Sequence, residues 1–573
     1  MRARAILGAL AGAALLAGCA GIPASGPVQS GGGHAIVADP LVPVAPVPGA
    51  SDDPLTLTDN FIQACAAGVS GTFSAAEAYL TPSAQLTWDP TATVTVFGSG
   101  DFGREWNADT NTVTYNLPVV ATVDDAGVFT EANAATPLEV TFHMSQDADG
   151  RWRISGLDDG IVLAEAHFQA LYRSVLLEFA SQDGRFFVPE LRWVPRTNAA
   201  TFAATALING PSPWLADAVH TGVPAAAKLT VRAVPVSAGD AAVSLDTGGG
   251  VTAADLALAE RQFAETLIGL PDISTVSVIA DGLPISASSS PINQAPAAGT
   301  TAVAFVDGRL GSWSPDGLEV ALPSVGRLPE GASSPALAYD GTVAAFLIDG
   351  TSLVTTDALG RGTVPYADAG DLPDDVMQVT TLYTGTALTT PSFDWYGWIW
   401  TAERDSDGEV IAMAPDGTPQ HIAASWLEGR EVASVRVSRD GARIGVLSRD
   451  GGVWRLDVAG IVRDAEGNPL SVGEPLSVGT GIGPSSHLVW VDEMTLAVLA
   501  DGPEGTTPSL GISTVGGGTE VVSSSADAIE LAARNGTSSI AVVTRTGEIF
   551  QRSTAGWSRV QVDGAVDGLA FSG

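Results

Sequence analysis

The residue of this chain with the most specific chemistry open to it is Cys19. It follows Leu16-Ala17-Gly18 directly. A thiol behind small residues is the arrangement in which a signal peptidase finds its cleavage point and the sulfur accepts a diacylglyceryl group. What precedes it gives the motif its weight: Arg2 and Arg4 with no acid nearby, then the unbroken apolar run Ala5–Ala17. That run is too short for a spanning helix, which needs about 20 residues, and fits the core of a signal peptide. The sequence therefore predicts residues 1–18 as a lipoprotein signal peptide and Cys19 as the lipidation site. A plain cleaved signal with a chance cysteine is the bland alternative. No twin-arginine pair is present, so the general secretory route is expected. Two acyl chains anchor stably where one is marginal.

Other chemistry is hard to find. A hydrolytic nucleophile on a GxSxG elbow is absent, as are a GxxxxGK[ST] phosphate loop and an HExxH zinc site. The histidines (His34, His143, His167, His220, His421, His487) stand singly, with no helical pair to offer two imidazoles to one ion. Gly479–Gly483 lies in a strand-rich context unlike a dinucleotide fingerprint. Asp147–Gly150 and Asp405–Gly408 resemble calcium loops only superficially, since Gly follows the second Asp directly, and plain hairpin turns are expected. No catalytic, cofactor or metal residue is assigned, and the chain is not expected to be an enzyme. Cys65, four residues after Phe61 in a helical stretch, reads as a small core residue rather than a reactive thiol.

Composition narrows the classes. The chain has 573 residues, a net charge of -37 and only 16% charged residues. So acidic a surface repels nucleic acid and offers no polybasic patch to anionic lipid, which leaves the lipid on Cys19 as the expected attachment to the membrane. Elsewhere no apolar run reaches ~18 residues. Lys228 is the only lysine, a bias that with abundant Ala, Gly and Val suggests a GC-rich genome such as an actinobacterial one. One exception to the acidity is Arg430, Arg436, Arg439, Arg443, Arg449 and Arg455. They form either a docking stripe for an acidic partner or, more simply, locally paired arginines on solvated strands. A second cluster is Trp395, Trp398 and Trp400, an aromatic grip for a sugar or peptide, or more simply the packed face of a strand.

The elements that would position these residues follow from periodicity. Residues 19–53, rich in Pro, Gly, Ser and Ala, read as a flexible tether. Residues 54–157 read as an α+β domain: a helix with Leu57, Phe61, Ala64 and Gly68 on one face, a shorter one at Ala75–Tyr79, then strands near Thr93–Phe97, Val113–Leu117, Val119–Val123, Leu138–His143 and Trp152–Ile154. Helices before a curved antiparallel sheet suggest a cystatin-like cone, with His143 and Trp152 on the sheet. Residues 158–286 read as a second α+β unit with a hairpin at Asp183-Gly184-Arg185. Its helix Thr197–Ile208 is closed by Asn209-Gly210, and another is opened by Thr252. Residues 287–300 read as a linker. From 301 to 573 helical periodicity gives way to short strands joined by Asp-Gly turns (Asp316-Gly317, Asp340-Gly341, Asp416-Gly417, Asp440-Gly441). That pattern predicts a β-propeller of about six blades, with Val566–Phe571 able to complete the first; a pair of β-sandwiches is the alternative. The fold class is thus multidomain, two α+β domains followed by an all-β propeller.

Several stretches carry a resemblance: Gly21–Pro27 after the cysteine, Tyr79-Leu80-Thr81-Pro82, Leu171-Tyr172, Phe187-Val188-Pro189 and Trp193-Val194-Pro195. With the order of parts, these resemble the LpqB family of actinobacterial lipoproteins. Thr197–Gly282 is similar to a GerMN domain through Leu207–Pro211, Thr221–Pro224 and the helix around Gln262–Leu267. Ser438–Gly441 is similar to the turns of TolB-like propellers, with Arg for Pro. The resemblance implies an extracytoplasmic, membrane-anchored accessory protein of the MtrA–MtrB two-component system. Its implied partner is the extracytoplasmic domain of the sensor histidine kinase MtrB, with effects on envelope homeostasis and division. It implies no catalytic residues. A receptor for a small ligand or cell-wall fragment is the alternative function, with the cone and the propeller's central funnel as its sites.

Overall fold

The computed structural model describes residues 44–49, 52–100, 102–132, 137–285, 291–314, 317–321, 326–358, 363–372, 374–479 and 482–573. Cys19, the signal peptide, most of the tether and the Asp316 turn lie outside them. From residue 44 on, the described chain forms one compact unit. Among the described residues no helix is long and apolar enough to cross a membrane.

Asp53 opens the helix Pro54–Gly68 by accepting a hydrogen bond from the Thr56 amide, and Pro54 occupies a first-turn position that needs no donor. The helix buries Leu57, Phe61, Ala64 and Cys65 against Tyr79, Trp88, Tyr115 and Phe142. Where one curved sheet was expected there are two of four strands. One contains Gly103–Asn107, Thr112–Leu117, Leu138–Gln146 and Trp152–Gly156; the other contains Phe129–Glu131, Val119–Asp124, Thr93–Phe97 and Ile161–Ala164. Ile161–Ala164, which sequence alone puts in the second unit, runs parallel to Thr93–Phe97 and buries Ile161 and Leu163 in the first core. A parallel pairing requires a long return of the chain, and no local signal announces it.

In the middle unit Tyr172–Ser181 and Phe187–Pro195 form a long hairpin, with Gly184 at φ +69 in its turn. The helix Ala199–Asn209 ends at Gly210, φ +88. Thr252 and Asp255 make a reciprocal capping box on the helix Ala253–Ile268, which crosses over between the parallel strands Asp240–Asp246 and Thr275–Ala280. The short strand Lys228–Leu229 pairs with Asp240–Asp246 at the sheet's outer edge. Within the expected linker, Ile292 and Ala298 are buried and the Phe187 amide bonds to the Asn293 carbonyl at 2.9 Å, while most of its other described residues are exposed.

Among the described residues the propeller has six blades. Their innermost strands, in ring order, are Val566–Ala570, Ala332–Leu337, Ser392–Phe393, Glu431–Val437, His487–Trp490 and Ala528–Ala532. Val566–Ala570 pairs with Ala302–Val306 and so completes blade 1, closing the ring. The turns at Gly341, Gly417 and Gly441 take φ +70, +87 and +73, a region glycine enters without steric cost. Blade 4 is the longest: Val453–Arg463 and Pro469–Gly479 have 11 residues each, and both strands meet the middle unit.

Candidate functional site

The middle unit is joined to blades 4 and 5 by a continuous core. Val175, Leu177, Phe179, Trp214 and Leu215 share one buried cluster with Leu447, Leu456, Trp490 and Leu496. Fit at this junction depends on glycine: a Cβ on Gly460 would lie 2.7 Å from Ala218 Cβ and 3.0 Å from the Trp214 carbonyl. Polar contacts fix the register. Trp193 donates from its indole to the Gly516 carbonyl at 3.0 Å. From the first unit, Glu131 accepts from the Thr519 amide at 3.1 Å and the Thr519 hydroxyl at 2.7 Å.

Charge is buried in this junction. Arg443 is fully buried, pairs with Asp440, and donates to the Pro189 carbonyl at 3.1 Å across the domain boundary. Beside it Arg192 and Glu190 pair at 3.0 Å, both buried. Burial pushes the Glu178 carboxyl up to about 8, helped by Glu493 and opposed by Arg443. Buried polar atoms without a partner in the structure gather here, Glu178 Oε2, Glu190 Oε1, Arg192 Nε and Arg443 Nε among them. Buried polar clusters of this kind normally hold ordered water.

Only part of the arginine stripe is solvated. Arg449 and Arg455 are surface groups near Glu431 and Asp450, at 3.6 and 3.4 Å. Arg430 pairs with Asp457 at 3.0 Å. The other three are structural. Arg436 donates to the Leu488, Thr390 and Pro391 carbonyls at 2.8, 3.0 and 2.7 Å, stapling blades 3, 4 and 5. Arg439 reaches the Val491 and Arg534 carbonyls. Arg463, just beyond the stripe, pairs with Asp394 at 2.6 Å over the rings of Tyr396 and Trp400. A buried guanidinium keeps its charge and needs several acceptors, which converging inner strands supply.

The propeller axis is nearly filled. Its channel, lined by Arg436, His487, Glu530 and other residues at or beside the inner strands of all six blades, leaves ≈40 Å³ for water. About 10–15 Å³ suffices for one water, so a few waters fit and a sugar ring does not. Burial raises Glu530 to about 7 against the pull of Arg436, and burial with the nearby Arg436 charge lowers His487 to about 4. The interior of the first unit, where a cone was expected, is likewise occupied, taken by Phe61, Tyr115 and Phe142 in edge-on contact. His143 is exposed, and Trp152 stands edge-on to Trp106.

The tryptophan cluster divides. Trp398 and Trp400 are buried in blade 3, Trp400 donating to Asp394 at 2.9 Å, as packing predicts. Trp395 is 37% exposed. It stands edge-on to Phe186 of the middle unit and Tyr339 of blade 2, with ring centroids at 5.3 and 5.6 Å. With Phe393, Tyr396 and Asp340 it lines a cleft of ≈590 Å³ between blades 2 and 3. The Tyr339 hydroxyl there is buried without a partner in the structure. Sequence reasoning found Trp395 but not Tyr339, because the two come from different blades.

The remaining candidates are structural. Asp147 accepts from the Asp149 and Arg151 amides, and Ser406 from the Gly408 and Glu409 amides, so both acidic stretches are turns. Cys65 is buried and its thiol is pushed well above the usual range. Gly479 is described, whereas residues 480–481 of its run are not. Among the described residues no group of three or more His, Cys, Asp or Glu is placed to hold a metal ion.

Two family models match this chain: the N-terminal domain of lipoprotein LpqB over residues 45–169, and the lipoprotein LpqB beta-propeller domain over residues 308–567. Lipoprotein LpqB of Thermobifida fusca (strain YX) is 28% identical over 583 residues, covering 88% of each chain. That of Mycobacterium tuberculosis (strain CDC 1551 / Oshkosh) is 26% identical over 510 residues, covering 82% of each. Among solved structures, a nidogen/laminin complex aligns with 48% of this chain and 98% of its own at 10% identity and a TM-score of 0.31.

Proposed function

This chain belongs to the LpqB lipoprotein family, and on that premise we propose that it is a membrane-anchored, extracytoplasmic accessory protein that binds and modulates an MtrB-type sensor kinase. In this reading Cys19 carries the lipid, residues 19–53 span the gap from the bilayer, and the folded body is a binding surface rather than a catalyst. The observation that carries it is the junction: one continuous core and the Arg443–Pro189 bond pack the middle unit and the propeller together. A packed surface can favour one state of a receptor over another, because its contacts fit the two unequally. A partner shifts an equilibrium only by its difference in affinity for the two states.

Photo-crosslinking in intact cells tests this directly. The sensor kinase is expected in the crosslinked fraction, and recovery of unrelated envelope proteins alone would sink the proposal. Cys19→Ala is expected to give a folded protein released from the membrane fraction. A variant that stays bound after a high-salt wash in cells lacking the kinase would show a second anchor.

The cleft at Trp395 favours a second reading, a receptor for a cell-wall fragment. Its volume lies in the range of about 300–1,000 Å³ typical of ligand sites, and exposed aromatic faces suit sugar rings. Native mass spectrometry of protein purified from its own envelope is expected to show a retained glycan if this holds.

A further inference from the structure

The middle unit carries an open groove of ≈850 Å³ between the C-terminal half of the helix Ala199–Asn209 and the edge strand Lys228–Leu229. Its lining holds Lys228 and Arg232 and no carboxylate, in a chain with 64 acidic residues and 27 basic ones. Both cations are exposed, and neither forms an ion pair among the described residues. The nearest acid along the ladder is Asp246, opposite Lys228, and it accepts from the Gly248 amide. The groove floor is apolar, made by Ile208, Val223 and Leu229.

The backbone adds a second feature. Successive side chains of a strand point to opposite faces, yet Ala227, Lys228 and Leu229 all line the groove, so the groove runs along the strand's edge. The sheet order leaves that edge unpaired. In an antiparallel ladder, pairs that exchange hydrogen bonds alternate with pairs that do not. The Thr230 amide bonds to the Ser244 carbonyl at 2.8 Å, and the Leu245 carbonyl accepts from Asp281 on the far side. The Leu229–Leu245 pair is thus of the kind that does not exchange bonds, and the amide and carbonyl of Leu229 face the open edge.

We propose that this groove binds an extended acidic peptide segment, which adds a strand alongside Lys228–Leu229 and sets its carboxylates on Lys228 and Arg232. Unpaired main-chain groups select an extended peptide over a glycan or a free anion, and the two cations select acidic side chains at spaced positions. Nothing in this requires the sensor kinase to be the source of the segment.

The test uses the full-length protein in detergent and a fluorescent octapeptide alternating valine with glutamate, beside a twin with glutamine. The glutamate peptide is expected to bind at least about tenfold more tightly, with an advantage that shrinks as salt rises. Hydrogen–deuterium exchange should slow at residues 227–230. Lys228→Gln with Arg232→Gln should abolish the preference without lowering Tm, and Lys228→Glu with Arg232→Glu should transfer it to a valine–lysine peptide. Equal affinity for the two peptides, slowed exchange only elsewhere, or competition by inorganic phosphate with no slowing at Leu229 overturns the proposal. So does protection of Leu229 in the free protein by its own residues 20–43, which would make the tether the occupant. Kinase crosslinking is read separately, so failure here leaves the accessory reading standing.

Discussion

Blade 4 and the groove of the middle unit both present cations in an acidic protein, and they use them in opposite ways. In the blade, Arg436, Arg439 and Arg443 spend their donors on carbonyls and on Asp440. In the groove, Lys228 and Arg232 stand in solvent with no ion pair among the described residues. Density along the chain therefore tracks the demands of folding, while availability to a partner tracks the absence of carboxylates in space. A buried guanidinium that loses its role leaves acceptors stranded. An exposed one leaves almost nothing behind.

The largest expected break is Arg443→Met. It strands buried Asp440 and removes the bond to Pro189, and losing one partner of a buried pair costs about 3–5 kcal/mol. Urea and thermal unfolding should show that loss, with the hairpin 172–195 becoming sensitive to protease. Arg436→Gln should cost about 1–3 kcal/mol, since carbonyls of three blades lose their donor. The same change should move Glu530 above about 7, because Arg436 is what holds it down.

Glu178 gives a test by pH. Its folded carboxyl titrates at about 8, above the ordinary value of 4.5, so the folded state holds a proton that the unfolded state releases. The associated stability is complete below about pH 4.5 and is lost as pH rises toward and through about 8. Glu178→Gln should flatten the fall in Tm over that window, as measured by scanning calorimetry at pH 5 and pH 8.5. The smallest effect should come from the groove: Lys228→Gln with Arg232→Gln should change stability by no more than about 0.5 kcal/mol. A larger loss would mean that these cations, too, hold the fold together.

Much of the architecture was legible because its signals are local. Asp-Gly turns recur at strand ends, the apolar face Leu57–Phe61–Ala64 predicts a buried helix, and alternating Trp398 and Trp400 predict a packed blade. The spacing of strands alone led to about six blades. What escaped was assembled across distance. Ile161–Ala164 joins the first unit through a parallel pairing with a strand far earlier in the chain. Arg443 looked like a surface cation because its acceptor Pro189 belongs to another domain. The Trp395 cleft needs Tyr339 from the neighbouring blade, and the groove's character lies in which residues are missing around Lys228. Lys228 stood out in the composition, yet only as a mark of genome bias.

The closure of blade 1 has a consequence for how this protein comes into being. Pairing Val566–Ala570 with Ala302–Val306 encloses every other blade in one loop, and for a loop of that length the entropic cost is about 5 kcal/mol. Until that pairing forms, Ala302–Val306, every side chain of which is buried in the finished ring, is a bare apolar strand edge open to any other chain. Its partner is the last blade strand to be synthesised. The interval before it arrives is when the molecule is most exposed to aggregation and proteolysis, so a stalled or clipped chain is expected to be cleared rather than to persist as a smaller propeller.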